Sequence, residues 1–180
     1  MEIKNVKWQS TDNIVVAFDQ ATYTTGFSVW NADTKELKAS GVIKVSGADT
    51  IERINKIKKD IAPTLYKIKA EVNSVKIILE DIQYQPEKEA CAWGNAHGDN
   101  IKTFKTLAWL QGVLLSWFKE NFFNVSMIFA ATWKSFCQIK GQQRAVQKQN
   151  AILFVKNNFN IDVSSDEADA ICLGWTAINK

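Results

Sequence analysis

Two short apolar runs in this chain each stop on an acidic residue. Ile14-Val15-Val16-Ala17-Phe18 ends at Asp19, and Val75-Lys76-Ile77-Ile78-Leu79 ends at Glu80. β-branched runs of this length read as strands buried on both faces of a sheet. An ionised carboxylate at the edge of such a strand is costly unless something compensates it. A second acidic pair, Asp166 and Asp169, stands three residues apart where an apolar helical pattern begins. Two strand-end carboxylates and a helical pair converging at one sheet edge would repel one another without a divalent cation. Carboxylate oxygens with water are the usual setting for Mg²⁺, and two such ions suit phosphodiester hydrolysis.

The remaining composition narrows the chemistry. A chain of 180 residues is most simply one domain, with residues 1–12 as an N-terminal arm. Net charge is only +3, from 22 basic and 19 acidic side chains, so charge alone does not announce a nucleic-acid partner. The lysines that recur along the first long helical segment and from Lys134 to Lys156 fit a solvated helix face equally well. Cys91, Cys137 and Cys172 have neither zinc-site nor disulfide-framework spacing and read as reduced structural thiols. The single histidine, His97, cannot make a histidine metal site and reads as a loop or helix-start residue. The first residues lack the apolar core of a signal peptide, and no apolar stretch is long enough to span a bilayer. A soluble, cytoplasmic protein of a bacterium or a phage-infected cell is expected.

Along the chain, strands are expected at Asn13–Phe18, Gly26–Trp30 and Leu37–Val45, joined by short turns as an antiparallel meander. Ile51, Ile54, Ile57, Ile61, Leu65 and Ile68 then keep helical spacing, with Asp49 or Thr50 as N-cap and Pro63 expected to kink or split the helix. A fourth strand covers Val75–Leu79. Residues 82–100 form a connection long enough to suggest a functional or mobile loop. A strong helix follows from about Asn100 to Glu120, with Ile101, Phe104, Leu107, Ala108, Leu114, Leu115 and Phe118 on its apolar side and Gly112 inside it, permitting close backbone approach. Strand five is Val125–Phe129. Short helical segments follow at Thr132–Cys137 and Gln142–Asn157, and a last helix starts near Ser164. Ser164 and Glu167 make an S-x-x-E capping box, which employs Glu167 and leaves Asp166 and Asp169 on one face. Asp81, next to Glu80, should point to the opposite side of its strand. The order β-β-β-α-β-α-β-α-α predicts an α/β layered fold with a mixed five-stranded sheet, three strands antiparallel and two parallel, flanked by helices.

These residues together resemble the RuvC-type Holliday junction resolvases of the ribonuclease H-like superfamily, over about residues 13–178. Ala17-Phe18-Asp19-Gln20-Ala21-Thr22-Tyr23-Thr24-Thr25-Gly26-Phe27-Ser28-Val29 is similar to the family's first-strand motif, with Asp19 as catalytic aspartate and Gly26 as hairpin glycine. Ile78-Leu79-Glu80-Asp81 is similar to the strand bearing the catalytic glutamate, and Asp166-Glu167-Ala168-Asp169-Ala170 to the closing D-x-x-D-A motif. Trp109-Leu110-Gln111-Gly112-Val113 is similar to the family's central helix, where a glycine supports packing. The family's usual Pro-Gly after the first aspartate is Gln20-Ala21 here. The resemblance implies that Asp19, Glu80, Asp166 and Asp169 bind two Mg²⁺ ions, with Mn²⁺ able to substitute, and that Asp19 bridges them. Cleavage would leave a 5′-phosphate. It also implies branched DNA as partner, with Lys140, Arg144 and Lys148 as phosphate contacts. An aromatic residue shortly after the glutamate intrudes at the junction in the family; position 83 is Gln, and Tyr84 is one step later. A homodimer pairing two active sites about a twofold axis is implied as well. Trp109 and Trp117, eight apart on the long helix, fit either core packing or that interface, whereas Trp30 and Trp175 read as core.

Three other functions use parts of the same pattern. A ribonuclease H-like enzyme acting on RNA–DNA hybrids would use the same carboxylates, though the late D-x-x-D pair favours the resolvase branch. A non-catalytic nucleic-acid-binding module would keep the fold without needing four acids. An actin-like ATPase fragment would need a second domain and glycine-rich phosphate loops, and neither is present.

Overall fold

β1 (Asn13–Asp19), β2 (Thr24–Asn31) and β3 (Leu37–Lys44) form an antiparallel meander. Helix α1 (Thr50–Glu71) carries the chain to β4 (Ser74–Asp81), which pairs parallel with β1. Helix α2 (Ala96–Glu120) leads to β5 (Asn124–Phe129), parallel with β4. The sheet order is β3-β2-β1-β4-β5. Three helices close the chain: α3 (Ala130–Phe136), α4 (Arg144–Phe159) and α5 (Ser165–Asn179). The two short helical segments expected after β5 are the separate helices α3 and α4, so with α5 three helices follow β5 where the element order counted two. The computed structural model describes every residue except 2, 4, 5 and 84–95, and only the backbone of 96–100. The long connection and Tyr84 therefore lie outside the described residues, as do Cys91 and the side chain of His97. Among the described residues no helix is long and apolar enough to cross a membrane.

Strand alternation sorts the core into two layers. Ile14, Val16 and Phe18 of β1 and Ile77 and Leu79 of β4 join Ile54, Ile57, Ile61, Leu65 and Ile68 of α1 and Leu110, Leu114 and Phe118 of α2. Met1, Ile3 and Trp8 of the N-terminal arm pack against this layer, and Thr64 Oγ1 donates to the Met1 carbonyl. Val15 and Ala17 of β1 and Ile78 of β4 face the other way, toward Trp133, Ala151, Val155, Ala168, Ile171, Cys172 and Leu173 of α3, α4 and α5. Trp30 lies in this second layer with Trp175 and Phe159 edging its ring, so both tryptophans expected in the core are there. Cys137 and Cys172 are buried free thiols.

Several local expectations are corrected. Pro63 does not split α1, which runs unbroken with Asp49 as its N-cap, accepting from the Glu52 amide. Pro63 and Lys59 both lie on the exposed side, so the carbonyl that loses its partner faces water. On α2 the buried side is Leu110, Leu114 and Phe118; Ile101 is exposed, and Leu110 was missing from the expected apolar face. Among the described residues Gly112 supports no close approach, since a Cβ there would meet none of them within 4 Å. The capping box is half formed. Ser164 accepts from the Glu167 amide at 3.4 Å, but the Glu167 carboxylate leaves the cap and accepts from Ser40 Oγ of β3 at 2.7 Å.

Candidate active site

The parity that buries Val15, Ala17 and Ile78 under α5 also decides where the strand-end acids go. Asp19 follows Ala17 by two residues and Glu80 follows Ile78 by two, so both stand on the α5 side of the sheet. Asp81 shares parity with Leu79 and Ile77 in the opposite layer, as expected. β1 and β4 run parallel with Phe18 beside Leu79, which brings Asp19 and Glu80 level at the same sheet edge.

Helix α5 brings the second pair of acids to that edge by passing very close to β2. Gly26 pairs with Asp19 across the hairpin, and a Cβ on Gly26 would overlap the Asp166 carbonyl. This glycine therefore serves helix-to-strand approach rather than the turn itself. Gly174 does the same about two turns further along α5, where a Cβ would overlap Trp30 Nε1 and Ser28 Oγ. The polar groups in this tight seam are satisfied: Trp30 Nε1 donates to Ser28 Oγ, which donates to the Ala170 carbonyl at 2.7 Å. Asp166 and Asp169, in the first turns of α5, then lie near enough to act on the Asp19 carboxyl.

The Asp19 carboxyl feels the other three acids. Burial drives the Asp19 carboxyl well above the ordinary carboxylate range, and Glu80, Asp169 and Asp166 push it the same way, with Lys148 opposing. Asp169 is pushed up to about 6, first by burial and then by Glu80 and Asp166, against Lys148 and Lys134. Burial also raises Glu80, partly offset by the Trp133 hydrogen bond and by Lys134 and Arg144. Asp166 instead meets Lys148 Nζ at 2.8 Å, an ion pair with both side chains about one-third exposed (32% each). The same ammonium donates to Ser165 Oγ at 3.2 Å.

The donors are all carboxylates, and their mutual repulsion marks a place where positive charge is short. That is the chemistry of a hard divalent cation site. As the side chains are oriented, no group of three His, Cys, Asp or Glu among the described residues encloses an ion. Two of the carboxylates are turned to protein partners, Asp166 to Lys148 and Glu80 to Trp133.

Sequence reading missed the groups that hold Glu80. Its Oε2 accepts from the indole N–H of Trp133, the first large side chain of α3, at 2.7 Å. Gln20 binds its backbone from both sides: Gln20 Nε2 donates to the Glu80 carbonyl at 2.6 Å, and the Glu80 amide donates to Gln20 Oε1 at 3.1 Å. Gln111 of α2 donates to the same carbonyl at 3.2 Å. Gln20 was visible as the departure from Pro-Gly, but its partner sixty residues away was not. Trp133 carried no motif.

Of the proposed DNA-contacting residues, Lys148 enters the acidic cluster itself. Arg144 opens α4 and Lys140 precedes it, both exposed on the same flank. The Lys140 carbonyl is tied to Asn150 Nδ2 and the Gly141 carbonyl to Gln147 Nε2, which folds this loop back on α4.

No family model and no curated protein sequence matches the chain. Among solved structures, Thermus thermophilus RuvC in complex with Holliday junction substrate aligns over 92% of this chain and 93% of that one, with TM-score 0.65 and 16% identity. The Thermus thermophilus RuvC structure aligns over the same shares, with TM-score 0.62 and 19% identity. Nearly full coverage of both chains, the 3-2-1-4-5 mixed sheet and the helices on its two faces agree: the chain has the ribonuclease H-like fold in the arrangement seen in RuvC.

Proposed function

We propose that this protein is a divalent-metal-dependent endonuclease that cleaves four-way DNA junctions. The observation that carries the reading is the convergence of Asp19, Glu80, Asp169 and Asp166 from three separate elements on one sheet edge, in a fold shared with RuvC. Burying like charges together costs stability, and a chain meets that cost only where the charge is used.

Asp19, Glu80 and Asp169 would hold Mg²⁺, with Asp166 joining when it leaves Lys148. The bound ions would supply charge neutralisation at the attacking and leaving oxygens of the phosphodiester. The chain's own groups supply the rest. Asp19 at the end of the central strand fixes the middle of the site. Helix α5 presents two acids one turn apart on a backbone seated against β2. Lys148 offers an ammonium beside Asp166 that can turn to a phosphate oxygen, and Arg144 and Lys140 extend that positive flank. Tyr84 is kept as the candidate aromatic at the junction.

A symmetric junction calls for two sites, and we infer a homodimer through α2. Trp109 is 61% exposed there, with Gly112 and Val113 beside it, and Met127 and Phe129 of β5 are exposed next to this helix. Gly112, which meets no other described residue, fits close approach of a second copy. The role of Trp117 is different: it packs in the core rim against Tyr66 and Phe118.

Cleavage of a synthetic four-way junction beside matched duplex, replication fork and RNA–DNA hybrid, in Mg²⁺ and in EDTA, tests the proposal. Junction cleavage that requires Mg²⁺ is expected. Preferred cutting of the hybrid would instead favour a ribonuclease H activity, and undiminished cleavage in EDTA would rule out the metal mechanism.

A further inference from the structure

We propose that Trp133 and Gln20 are positioning residues that fix Glu80 for metal binding before any ion arrives. The inference rests on the metal-dependent reading above and names which residues, beyond the acids, set the affinity of that site.

The parallel ladder between β1 and β4 ends at Phe18 and Leu79. Beyond that point β1 no longer pairs with β4, and on the sheet ladder Glu80 is held from the β5 side alone, opposite Ile128. Gln20 continues the ladder with its side chain. Its carboxamide offers one acceptor and one donor, the same pair that a peptide unit offers, and both are used on Glu80. Gln20 is only 5% exposed, so water does not compete for these bonds. It also directly follows Asp19, so one residue couples the two acids from different strands.

Trp133 then fixes the carboxylate. It is 1% exposed, and its N–H is a donor only, so it needs an acceptor and favours the ionised carboxylate. One oxygen of Glu80 is thereby engaged, and Oε1 is the one left for an ion. Trp133 is itself anchored by the α5-side core. Lys134, the next residue, lies 5.3 Å over its ring and donates to Gln147 of α4 at 3.1 Å, which ties α3 to the helix bearing Arg144 and Lys148. Outer partners of this kind, which orient a metal-binding carboxylate, commonly change metal affinity by about 10–100-fold.

The test measures Mn²⁺ binding to the full chain by calorimetry without DNA, alongside single-turnover junction cleavage across a Mg²⁺ series. Trp133→Phe keeps the ring in the core and removes the donor. It should weaken Mn²⁺ binding about tenfold and move the Mg²⁺ midpoint of cleavage to higher concentration, while saturating Mg²⁺ restores most of the rate. Gln20→Ala, read the same way, should act in the same direction and serves if Trp133→Phe does not fold. Placed in a Glu80→Gln background, neither substitution should weaken residual Mn²⁺ binding further, because both act through Glu80. Wild-type-like Mn²⁺ affinity in both variants, or the same loss with Glu80 already replaced, would overturn the inference while leaving the nuclease reading intact. A wild-type protein that binds no Mn²⁺ would remove both.

Discussion

The two faces of the sheet are built by different rules. The face covered by α1 and α2 is a mainly apolar layer in which isoleucine, leucine and phenylalanine interdigitate, with Arg53 of α1 also buried. The face covered by α3, α4 and α5 is also mostly apolar, but it is threaded by polar seams: Ser28 with Trp30 and Ala170, Cys137 with Thr176, and Trp133 with Glu80. Its helix comes so close that two glycines are needed, and its edge carries carboxylates pushed toward their neutral forms. One face supplies stability through area removed from water. The other spends part of it to hold like charges together, which makes the second face the functional one.

Substitutions that treat the two faces alike should give opposite results. Asp19→Asn should abolish junction cleavage yet raise the melting temperature in EDTA, because it removes a buried, repelled charge while keeping side-chain size. Binding of the junction, read by gel shift, should survive. Cleavage at the wild-type rate would show that the proposed site is wrong. On the opposite face, Ile57→Ala should cost about 2–5 kcal/mol in denaturant unfolding through cavity formation, with Mn²⁺ affinity of the folded protein unchanged. A fall in affinity would mean the two layers are coupled.

Gly26→Ala sharpens the comparison by pressing on the seam alone. A methyl group there must displace the start of α5, at about 1–3 kcal/mol of stability, and cleavage should fall with it. Gly112→Ala is the contrasting change: open space and a gain in helix propensity should leave the monomer as stable or more so, while weakening self-association measured by sedimentation.

The acidic edge should also show itself in pH. Asp169 titrates at about 6 in the folded state, above its ordinary value near 3.8, so the folded form holds its proton more tightly than the unfolded chain. The stability this contributes is complete below about pH 4 and is lost as pH rises through 6. In EDTA, Asp169→Asn should therefore match wild type in melting temperature near pH 4 and exceed it near pH 7. Mg²⁺ should close that gap by stabilising wild type alone. A constant difference across the range would deny that burial and the neighbouring acids raise Asp169. The smallest effect is expected of Glu167→Gln, which still accepts from Ser40 and should change stability by no more than about 0.5 kcal/mol with cleavage retained.

Much of the architecture was legible in residue order. β-branched runs marked β1 and β4, the three-and-four spacing from Ile54 to Ile68 marked α1, and a strand ending in an acid twice over placed Asp19 and Glu80 on one edge. The capping signal at Ser164 located the start of α5, and with it Asp166 and Asp169. These features repeat at short range, where the 2.0 and 3.6 periods of strand and helix are imposed by local sterics.

What sequence determined, then, was the element order, the faces of the strands and the acids at their ends. Tertiary structure decided the rest. It assigned Gly26 to the approach of α5 and left Gly112 open to solvent. It drew Glu167 from its cap to Ser40, paired Lys148 with Asp166, and closed Gln20 and Trp133 on Glu80 from 60 and 53 residues away. The physical reason is the range of the forces. Backbone periodicity is set between neighbours in the chain, whereas a hydrogen bond or a steric overlap between distant segments exists only after hydrophobic burial has brought them within a few ångströms.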